Sequence, residues 1–429
     1  MNRGQQFGIA TALMVGCSLS PLLAQTITAN VTSCDTGGDG QPAMTLVASA
    51  SSRVLHVAIP LPQDAKVARN KIWQLAEVDH PQATVPVQFV ALAADDGSAK
   101  LEGGELLAVV PPRDGARDQR RFRLEAVESP KRVGGPFEYR ETSKTSLGLW
   151  EGERPVLVYN HGEVVNKDIP ENDHRRRRAC YIHPVWGLNG EVLTADFPKD
   201  HYHHHGIFWT WPHVGVGGQE YDLWMSRKIH QKFVRWIHRE SGPLASVLAV
   251  ENGWFVGDKQ VMIERVWLRV FKASDDARAI DISLTWIPTD QPVTLRGAEG
   301  KSYGGLTIRF APRSRQSTVI TVPNGRTDRD LPDTPLAWAD LTAEFGNAEA
   351  ASGAALLVHP KHPDFPPTWL TRHYGPLCVG WPGIEPQTFL PGKPLRLDYR
   401  VWIHKTQVTS ARLNEAYGDY SASTEAVWK

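Results

Sequence analysis

The chain has 429 residues, which is long enough for one large β-domain and a smaller one, each with its own hydrophobic core. Lysine plus arginine and aspartate plus glutamate each total 47, and this balance excludes the basic charge that is typical of nucleic-acid-binding proteins. The 15 tryptophans outnumber both the tyrosines and the phenylalanines, although tryptophan is normally the scarcest of the three. This excess needs a structural or functional explanation.

The first 24 residues have the organisation of a secretory signal peptide. Arg3 supplies positive charge, residues 7–19 form an apolar core, and Ala24 is a small residue at a cleavage position. The alternative is a bacterial lipoprotein signal, in which Cys17 would carry a lipid anchor. Both interpretations predict export to the periplasm or beyond it, and no other segment has the pattern of a membrane span.

Three cysteines follow the predicted signal peptide, namely Cys34, Cys180 and Cys378. An oxidising compartment allows one disulfide among them and leaves at least one free thiol. The chain has no Cys-x-x-Cys pair, which argues against a zinc–thiolate site.

Alternating apolar and polar residues predict many short strands, and no long helical pattern separates them. This pattern argues against an alternating β/α fold and favours an all-β protein, a large antiparallel β-sandwich with a small N-terminal β-domain. The predicted divisions are a signal peptide at 1–24, a disordered segment at 25–42, a small β-domain at 43–135, the sandwich domain at 149–405, and a tail at 406–429 with a helical piece around 411–417. The clearest strands of the sandwich are predicted at 155–159, 233–238, 261–271, 280–287, 306–310, 355–359 and 395–404.

The segment 200–206 contains four histidines, and the apolar residues after it predict a buried strand. Imidazoles are common ligands of transition metals and natural acid/base groups near neutral pH. In an extended strand, His201, His203 and His205 would share one face, and His204 would lie on the other. The sequence therefore predicts a metal site or a proton-transfer site at a strand end near a cavity. The alternative is a solvated loop or a buried hydrogen-bond network.

Two further charged residues are candidates for catalysis. Glu264 lies in an alternating strand pattern among apolar neighbours, where burial would raise the pKa of a carboxyl and suit it to acid/base chemistry. A structural ion pair is the alternative for this residue. Arg309 shares a polar strand face with Tyr303, and this face would line a groove or else an exposed sheet edge.

The remaining candidates would bind a ligand. Trp209, Trp224 and Trp369 lie in or beside loops rich in glycine, proline and histidine, where their rings would stack on sugar faces; core packing is the alternative. His359 begins a rigid, proline-rich loop. The basic run 174–178 is typical of a solvated face, and attraction of an anionic sugar is the other interpretation.

Several separated motifs resemble the PmoA-like family of exported bacterial proteins over roughly residues 150–405. They are Tyr181-Ile182-His183-Pro184, Asp196-Phe197-Pro198 followed by Asp200-His201 and His203-His204, Tyr303-Gly304-Gly305-Leu306 with Arg309, His359-Pro360 with Trp369 and Arg372, and Tyr399-Arg400-Val401. Members are commonly labelled methane oxygenase, although the subunit of that name has several membrane spans and this chain has no such pattern. The sequence departs from the commoner family pattern at His205, where Arg is frequent, and at Val358, where Asp is frequent.

The resemblance implies a fold similar to the galactose-mutarotase-like supersandwich, which hosts sugar epimerases, lyases and hydrolases. The resulting hypothesis is an exported carbohydrate-active enzyme with a groove rich in histidine and tryptophan. Its predicted catalytic residues are His201, His203, His204, Glu264 and Arg309. Its predicted substrate-binding residues are Tyr303, Trp209, Trp224, His359, Trp369 and Arg372. A divalent metal held by the first three histidines is one option, and the alternatives are a non-catalytic glycan-binding protein and a metal-dependent oxygenase.

Overall fold

The computed structural model describes residues 45–49, 54–62, 65, 67, 71–113, 119–127, 135–346, 348 and 350–428, all within one compact unit from Met44 to Lys429. The predicted signal peptide with Cys17, the predicted disordered segment and Cys34 lie outside the described residues. Antiparallel strands make up most of the described chain, which confirms the predicted all-β sandwich class.

The N-terminal strands form an antiparallel sheet of their own, in which each strand is a short alternating segment. These strands are β1 (Thr45–Ser49), β2 (Leu55–Pro60), β3 (Ile72–Glu77), β4 (His80–Ala93), β5 (Ala99–Val110) and β6 (Gln119–Val127). Their order across the sheet is β2-β5-β4-β3-β6-β1. Alternate residues such as Leu55, Val57 and Ile59 are buried, as a half-buried strand requires.

The rest of the chain forms the sandwich and two small sheets, apart from its last strand, which joins the N-terminal sheet. Its strands in chain order are β7 (Phe137–Ser143), β8 (Ser146–Glu151), β9 (Arg154–Asn160), β10 (Val164–Val165), β11 (Arg177–Arg178), β12 (Tyr181–Val185), β13 (Ile207–Thr210), β14 (His213–Val216), β15 (Gln219–Tyr221), β16 (His230–Ser241), β17 (Ala245–Val256), β18 (Lys259–Phe271), β19 (Ala277–Pro288), β20 (Val293–Arg296), β21 (Gly305–Arg309), β22 (Val319–Val322), β23 (Gly325–Thr327), β24 (Leu331–Pro335), β25 (Trp338–Ala343), β26 (Ser352–Val358), β27 (Thr368–Thr371), β28 (Pro376–Gly380), β29 (Gln387–Phe389), β30 (Leu395–His404) and β31 (Val427–Trp428). A single turn of 3-10 helix, His174–Arg176, precedes β11, and one α-helix, α1 (Ser410–Ser423), follows β30.

Two nine-stranded sheets enclose the main core. The first has the order β24-β27-β28-β21-β13-β12-β9-β8-β7, and the second has the order β16-β17-β18-β19-β30-β26-β25-β22-β23. Side chains from both sheets meet in one buried cluster, including Tyr159, Trp209 and Ile308 from the first and Val250 and Leu284 from the second. Smaller sheets, β15-β14-β20-β29 and β10-β11, lie beside them.

The N-terminal sheet packs on the outer face of the second nine-stranded sheet. Val90 and Leu107 share a buried cluster with Val247, Trp267 and Phe271 of that face. Ion pairs between Asp96 and Arg265 and between Glu105 and Arg269 join the same two sheets. The small N-terminal group of strands therefore covers apolar surface of the sandwich.

The C-terminal residues are more ordered than a tail with one helical piece. Helix α1 begins after Thr409, whose side chain accepts a hydrogen bond from the backbone N–H of Arg412 at 3.2 Å. It buries Leu413 and Tyr420. Strand β31 then joins the N-terminal sheet next to β1, where Trp428 lies opposite Leu46. The helix is twice as long as the predicted piece because its packing on the sandwich stabilises it beyond its weak sequence pattern.

No helix among the described residues is both long and apolar enough to cross a membrane. Cys180 and Cys378 are buried free thiols. The disulfide that the sequence allows is therefore not formed between these two residues.

Candidate functional site

The histidine segment is built from turns. The backbone N–H of His201 donates to the carbonyl of Pro198 at 2.9 Å, and that of His204 donates to the carbonyl of His201 at 2.9 Å. Each bond joins residues three apart and closes a four-residue turn, so the chain folds back before β13 begins at Ile207. The prediction of an extended strand with alternating faces is wrong here, because local turns replace the pleat; the predicted position at a strand end is confirmed.

These turns bring three imidazoles together. The ring centroids of His201 and His204 are 4.7 Å apart with nearly parallel planes, those of His203 and His204 are 4.6 Å apart, and those of His201 and His203 are 5.5 Å apart. We call His201, His203 and His204 the histidine cluster. Tyr374 stacks on His201 at 5.0 Å, and Trp224 meets the edge of His204 at 5.7 Å.

His205 faces a different set of groups. Its Nδ1 lies 2.7 Å from Oδ1 of Asp196, and the hydroxyl of Tyr181 donates to Oδ2 of the same carboxylate at 2.7 Å. His205 is 1% exposed and packs against Phe197. It forms a carboxylate–imidazole pair directly behind the cluster.

Arg309 and Asp200 form the charged side of the site. Nη2 of Arg309 donates to both oxygens of Asp200 at 2.8 Å, and the guanidinium lies 4.9 Å from the ring centre of Tyr374. Oδ2 of Asp200 is also 3.0 Å from Nδ1 of His201, outside hydrogen-bond geometry. Arg309 comes from the end of β21, whereas Asp200 comes from the turns, so the pair fastens the histidine segment to the first nine-stranded sheet.

Burial keeps the imidazoles of His203, His204 and His205 neutral. It lowers the pKa of His203 to about 3, and the positive charges of Arg175 and Arg178 act in the same direction. Burial also holds the pKa of His204 well below its ordinary value, with Arg309 contributing. The pKa of His205 falls to about 4 through burial, although its bond to Asp196 opposes the shift. A neutral imidazole presents one ring nitrogen as a hydrogen-bond acceptor, and its lowered pKa makes it a weak proton acceptor at neutral pH.

The site contains buried polar atoms without a hydrogen-bond partner among the described residues. They are the Nδ1 atoms of His201, His203 and His204 and the Nε and Nη1 atoms of Arg309. Such atoms are rare in folded proteins because an unpaired buried polar group costs about 1–3 kcal/mol. Their concentration at one place makes the cluster the candidate functional site.

The geometry does not support the predicted metal site. Among the described residues, no three or more His, Cys, Asp or Glu side chains are arranged to hold a metal ion. Stacking of His201 on His204 sets two of the rings face to face. The three histidines predicted as metal ligands are adjacent, with His201 and His204 stacked and His203 edge-on to both.

Two predicted binding residues line the cluster and two lie elsewhere in the core. Trp224 contacts His203 and His204, and Tyr303 packs on Trp224 at 4.8 Å. Trp209 and Trp369 are 0% exposed and belong to the core between the sheets. Core packing, the alternative interpretation, is what the structure shows for these two.

Glu264 lies in the core, away from the histidine cluster. Its side chain is 0% exposed and accepts hydrogen bonds from Gln231 at 2.8 Å, Asn252 at 2.9 Å, Trp254 at 2.7 Å and Trp286 at 3.2 Å. Four N–H donors occupy its two oxygens. This arrangement suits a structural hydrogen-bond acceptor. The hydrogen bonds of Glu264 join it to core residues and not to the histidine cluster, so they do not support its predicted role as an acid or base there.

Arg372 and His359 occupy different surroundings. Arg372 lies in the turn between β27 and β28 that also carries Tyr374, and it pairs with Asp330 at 3.3 Å. His359 lies in a separate polar cleft of about 320 Å³, where it meets Tyr420. The predicted binding role of His359 therefore concerns this cleft and not the histidine cluster.

Sequence reasoning missed Asp196, Asp200, Tyr181, Tyr374 and Arg178 as site residues. Three of them stand inside the motifs that carry the family resemblance, and that proximity was the available signal. Tyr374 is brought to the cluster only by the β27–β28 turn, which no local pattern identifies.

A comparison with curated proteins finds no match to the chain. The resemblance to the PmoA-like family stays a prediction. The model of a family of unknown function, DUF6807, matches residues 148–418, which include both nine-stranded sheets apart from β7 and the whole histidine segment. Because this match covers more than half of the sequence, the chain belongs to the DUF6807 family.

Proposed function

We propose that the chain is an exported carbohydrate-active enzyme that performs acid/base chemistry on a glycan or sugar derivative at the histidine cluster. The observation that carries the proposal is the pair of buried, unpartnered Nδ1 atoms on His203 and His204, beside His201, whose Nδ1 lies 3.0 Å from the carboxylate of Asp200. Sugars present many hydroxyl groups, which both donate and accept hydrogen bonds and therefore suit neutral imidazoles.

Aromatic rings beside the cluster support a sugar as the ligand. Tyr374 is 43% exposed and stacks on His201, while Trp224 meets His203 and His204 and Tyr303 packs on Trp224. Aromatic rings stack on the apolar faces of sugar rings. The ligand would lie against Tyr374 with its hydroxyl groups directed at the histidines.

The chemistry follows from the protonation states. His203 and His204 are neutral at neutral pH, so each presents an accepting ring nitrogen to a sugar hydroxyl, and either becomes an effective base for a hydroxyl or an acidified C–H when the bound ligand raises its pKa. Arg309 would stabilise negative charge that develops on the substrate. Elimination and epimerisation at an acidified C–H need these two elements, a proton acceptor and a stabilised anion, whereas glycoside hydrolysis needs an acid and a base around an oxocarbenium-like transition state.

The test is a glycan screen with the purified wild type and the variants His203→Ala, His204→Ala and the double variant. We expect turnover by the wild type and a loss of about 10²–10⁴-fold in kcat/KM in the variants, the usual contribution of a general acid or base. The control is His362→Ala, because His362 is also buried and lacks a hydrogen-bond partner among the described residues, but contacts Trp381 and Tyr399 instead of the cluster.

Equal turnover by wild type and double variant would contradict the residue assignment. Saturable glycan binding without turnover by the wild type would instead identify a non-catalytic glycan-binding protein.

A further inference from the structure

We propose that the ligand of the histidine cluster carries an anionic substituent, as sugar acids and sugar phosphates do. This inference rests on the proposed function, because it specifies the substrate class of the same site. It concerns a feature that general sugar binding does not need, namely a surplus of buried arginine N–H groups around the cluster.

The basic run of the sequence contributes to this surplus. Arg175 lies over the ring of Tyr202 at 5.4 Å, in the middle of the histidine segment, and is neutralised by Asp173 at 2.6 Å. Arg178 points inward and lies 5.9 Å from the ring centre of Phe208, which packs on His204. The basic run 174–178 therefore contributes side chains beside the histidine cluster and is not only a solvated face.

Arg178 is a buried charge without an acidic partner. It is 5% exposed and donates to three neutral acceptors, the carbonyl of Leu223 at 3.0 Å, the hydroxyl of Ser226 at 3.0 Å and the amide oxygen of Gln231 at 3.1 Å. Its Nε has no partner among the described residues, and the carboxylates that act on it do so without a direct ion pair: Glu264 is joined to Arg178 only through Gln231, which donates to Glu264 at 2.8 Å. Burying an unpaired charge is costly, so a nearby negative charge on a ligand would be stabilised.

Arg309 has N–H groups that donate to no described residue. Only its Nη2 is used, by Asp200, while Nε and Nη1 are buried without a partner among the described residues. The side chain of Asp200 is 46% exposed, compared with 6% for Arg309. The exposed carboxylate of Asp200 therefore shows where an anionic group of the ligand would contact the guanidinium of Arg309, either beside Asp200 or in its place.

Binding of an anion would also prepare the cluster for catalysis. The charges that lower the pKa of His203 and His204 include Arg175, Arg178 and Arg309. A negative group near them favours the protonated imidazole and raises the pKa of both histidines toward neutrality. An imidazole in that range serves as an acid as well as a base.

The test compares matched sugar pairs on the wild-type protein by titration calorimetry. The pairs are glucose with glucuronate, galactose with galacturonate, and mannose with mannuronate, with glucose 6-phosphate as a separate arm. We expect the acid or the phosphate to bind about 10–100-fold more tightly than the parent sugar, the value of a charge-assisted hydrogen bond. A preference for uronates identifies a carboxylate ligand, and a preference for the phosphate identifies a phosphorylated one. Raising the ionic strength should weaken the anionic ligand more than the neutral sugar.

Variants locate the preference. Arg309→Gln should bring the affinity ratio between acid and parent sugar close to one, and Arg309→Lys should retain part of it. Arg278→Gln is the control, since Arg278 is equally buried but is paired with Glu151 on the side of the sandwich away from the cluster.

Two outcomes would overturn the inference and separate it from the proposed function. Turnover of neutral glycans with no affinity advantage for any acid or phosphate overturns the anionic ligand and leaves the sugar chemistry standing. Absence of binding to every pair, together with no turnover in the glycan screen, contradicts both proposals.

Discussion

Glu264 shows how one residue is open to two interpretations until its neighbours are known. Strand alternation predicted that it shares a face with Met262, Val266 and Leu268, and all four side chains are buried, so this part of the prediction is confirmed. The four donors that surround its carboxylate come from three other strands and include the distant Trp286 and Gln231. No local sequence pattern specifies such a convergence.

We predict that Glu264 is essential for stability. Glu264→Ala leaves four buried N–H groups unpaired and should lower the free energy of unfolding by about 3–5 kcal/mol, whereas Glu264→Gln, which keeps one acceptor oxygen, should cost about 1–3 kcal/mol. Urea unfolding followed by tryptophan fluorescence measures both, with Glu153→Ala on the exposed surface as the control. A Glu264→Gln protein of native stability that has lost all turnover would show a catalytic role instead.

The buried histidines predict how stability depends on pH. The folded protein holds the pKa of His203 at about 3 and that of His205 at about 4, below the ordinary value of 6.5. Between these values the unfolded chain binds more protons than the folded one, so stability is full above pH 6.5 and declines as the pH falls. The slope is up to about 1.4 kcal/mol per pH unit for each histidine.

Urea unfolding at a series of pH values below neutrality tests this slope. His205→Gln should reduce it by up to about 1.4 kcal/mol per pH unit, the share of one histidine, and His80→Gln, which changes an exposed histidine, should leave it unchanged. If the His205→Gln variant kept the slope of the wild type, the expected linkage would be wrong.

Among the structural elements, the long strands were the most predictable. The strand predicted at 395–404 is β30 residue for residue, and those predicted at 261–271 and 280–287 differ from β18 and β19 by a few residues at their ends. These strands carry long alternating or apolar runs, so their sequence alone contains the signal. The histidine segment has only short-range turns, and there the strand pattern failed.

Gly206 connects the turns of the histidine segment to β13, and another backbone segment lies very close to it. Its φ is +27°, and a Cβ there would lie 1.9 Å from the carbonyl oxygen of Ile182. Its own carbonyl accepts the backbone N–H of Arg309 at 2.7 Å, so β12, β13 and β21 meet at this residue. A side chain at this point would push β12 away from the start of β13, where the histidine segment ends.

We therefore expect Gly206→Ala to cost about 3 kcal/mol of stability, from steric overlap and the unfavourable φ together, and to abolish ligand binding. The control is Gly257→Ala, at a φ of +60° with no atom within 4 Å of the added Cβ, which should cost only about 1 kcal/mol. Thermal unfolding measures both, and equal effects of the two substitutions would refute the steric explanation.

At the scale of the whole molecule, the N-terminal sheet and the sandwich depend on each other. Val247, Trp267 and Phe271 face Val90 and Leu107 of the N-terminal sheet, and β31 returns from the C-terminus to pair with β1. Large exposed apolar patches favour aggregation in soluble proteins. The sandwich therefore needs its N-terminal sheet as a cover.

We predict that a chain of residues 136–429 is aggregation-prone and melts about 10 °C lower than the full chain, because that apolar face becomes exposed. Differential scanning calorimetry and light scattering provide the measurements. A truncated chain that also carries Val247→Thr and Phe271→Thr should regain solubility. A truncated chain as stable and soluble as the full one would show that the sandwich folds by itself.

The sequence by itself determined the fold class, most of the long strands and the place of the histidine segment before a buried strand. These features depend on residue periodicity and on neighbours close along the chain, so they can be read locally. Only the tertiary structure decided that His204 joins His201 and His203 while His205 turns to Asp196, and that Trp209 and Trp369 belong to the core. It also decided that Arg309, Tyr374 and Arg178 surround the histidines. Those contacts join residues from separate strands and turns. The packing of the two sheets decides which of these residues meet, and no local sequence pattern contains that information.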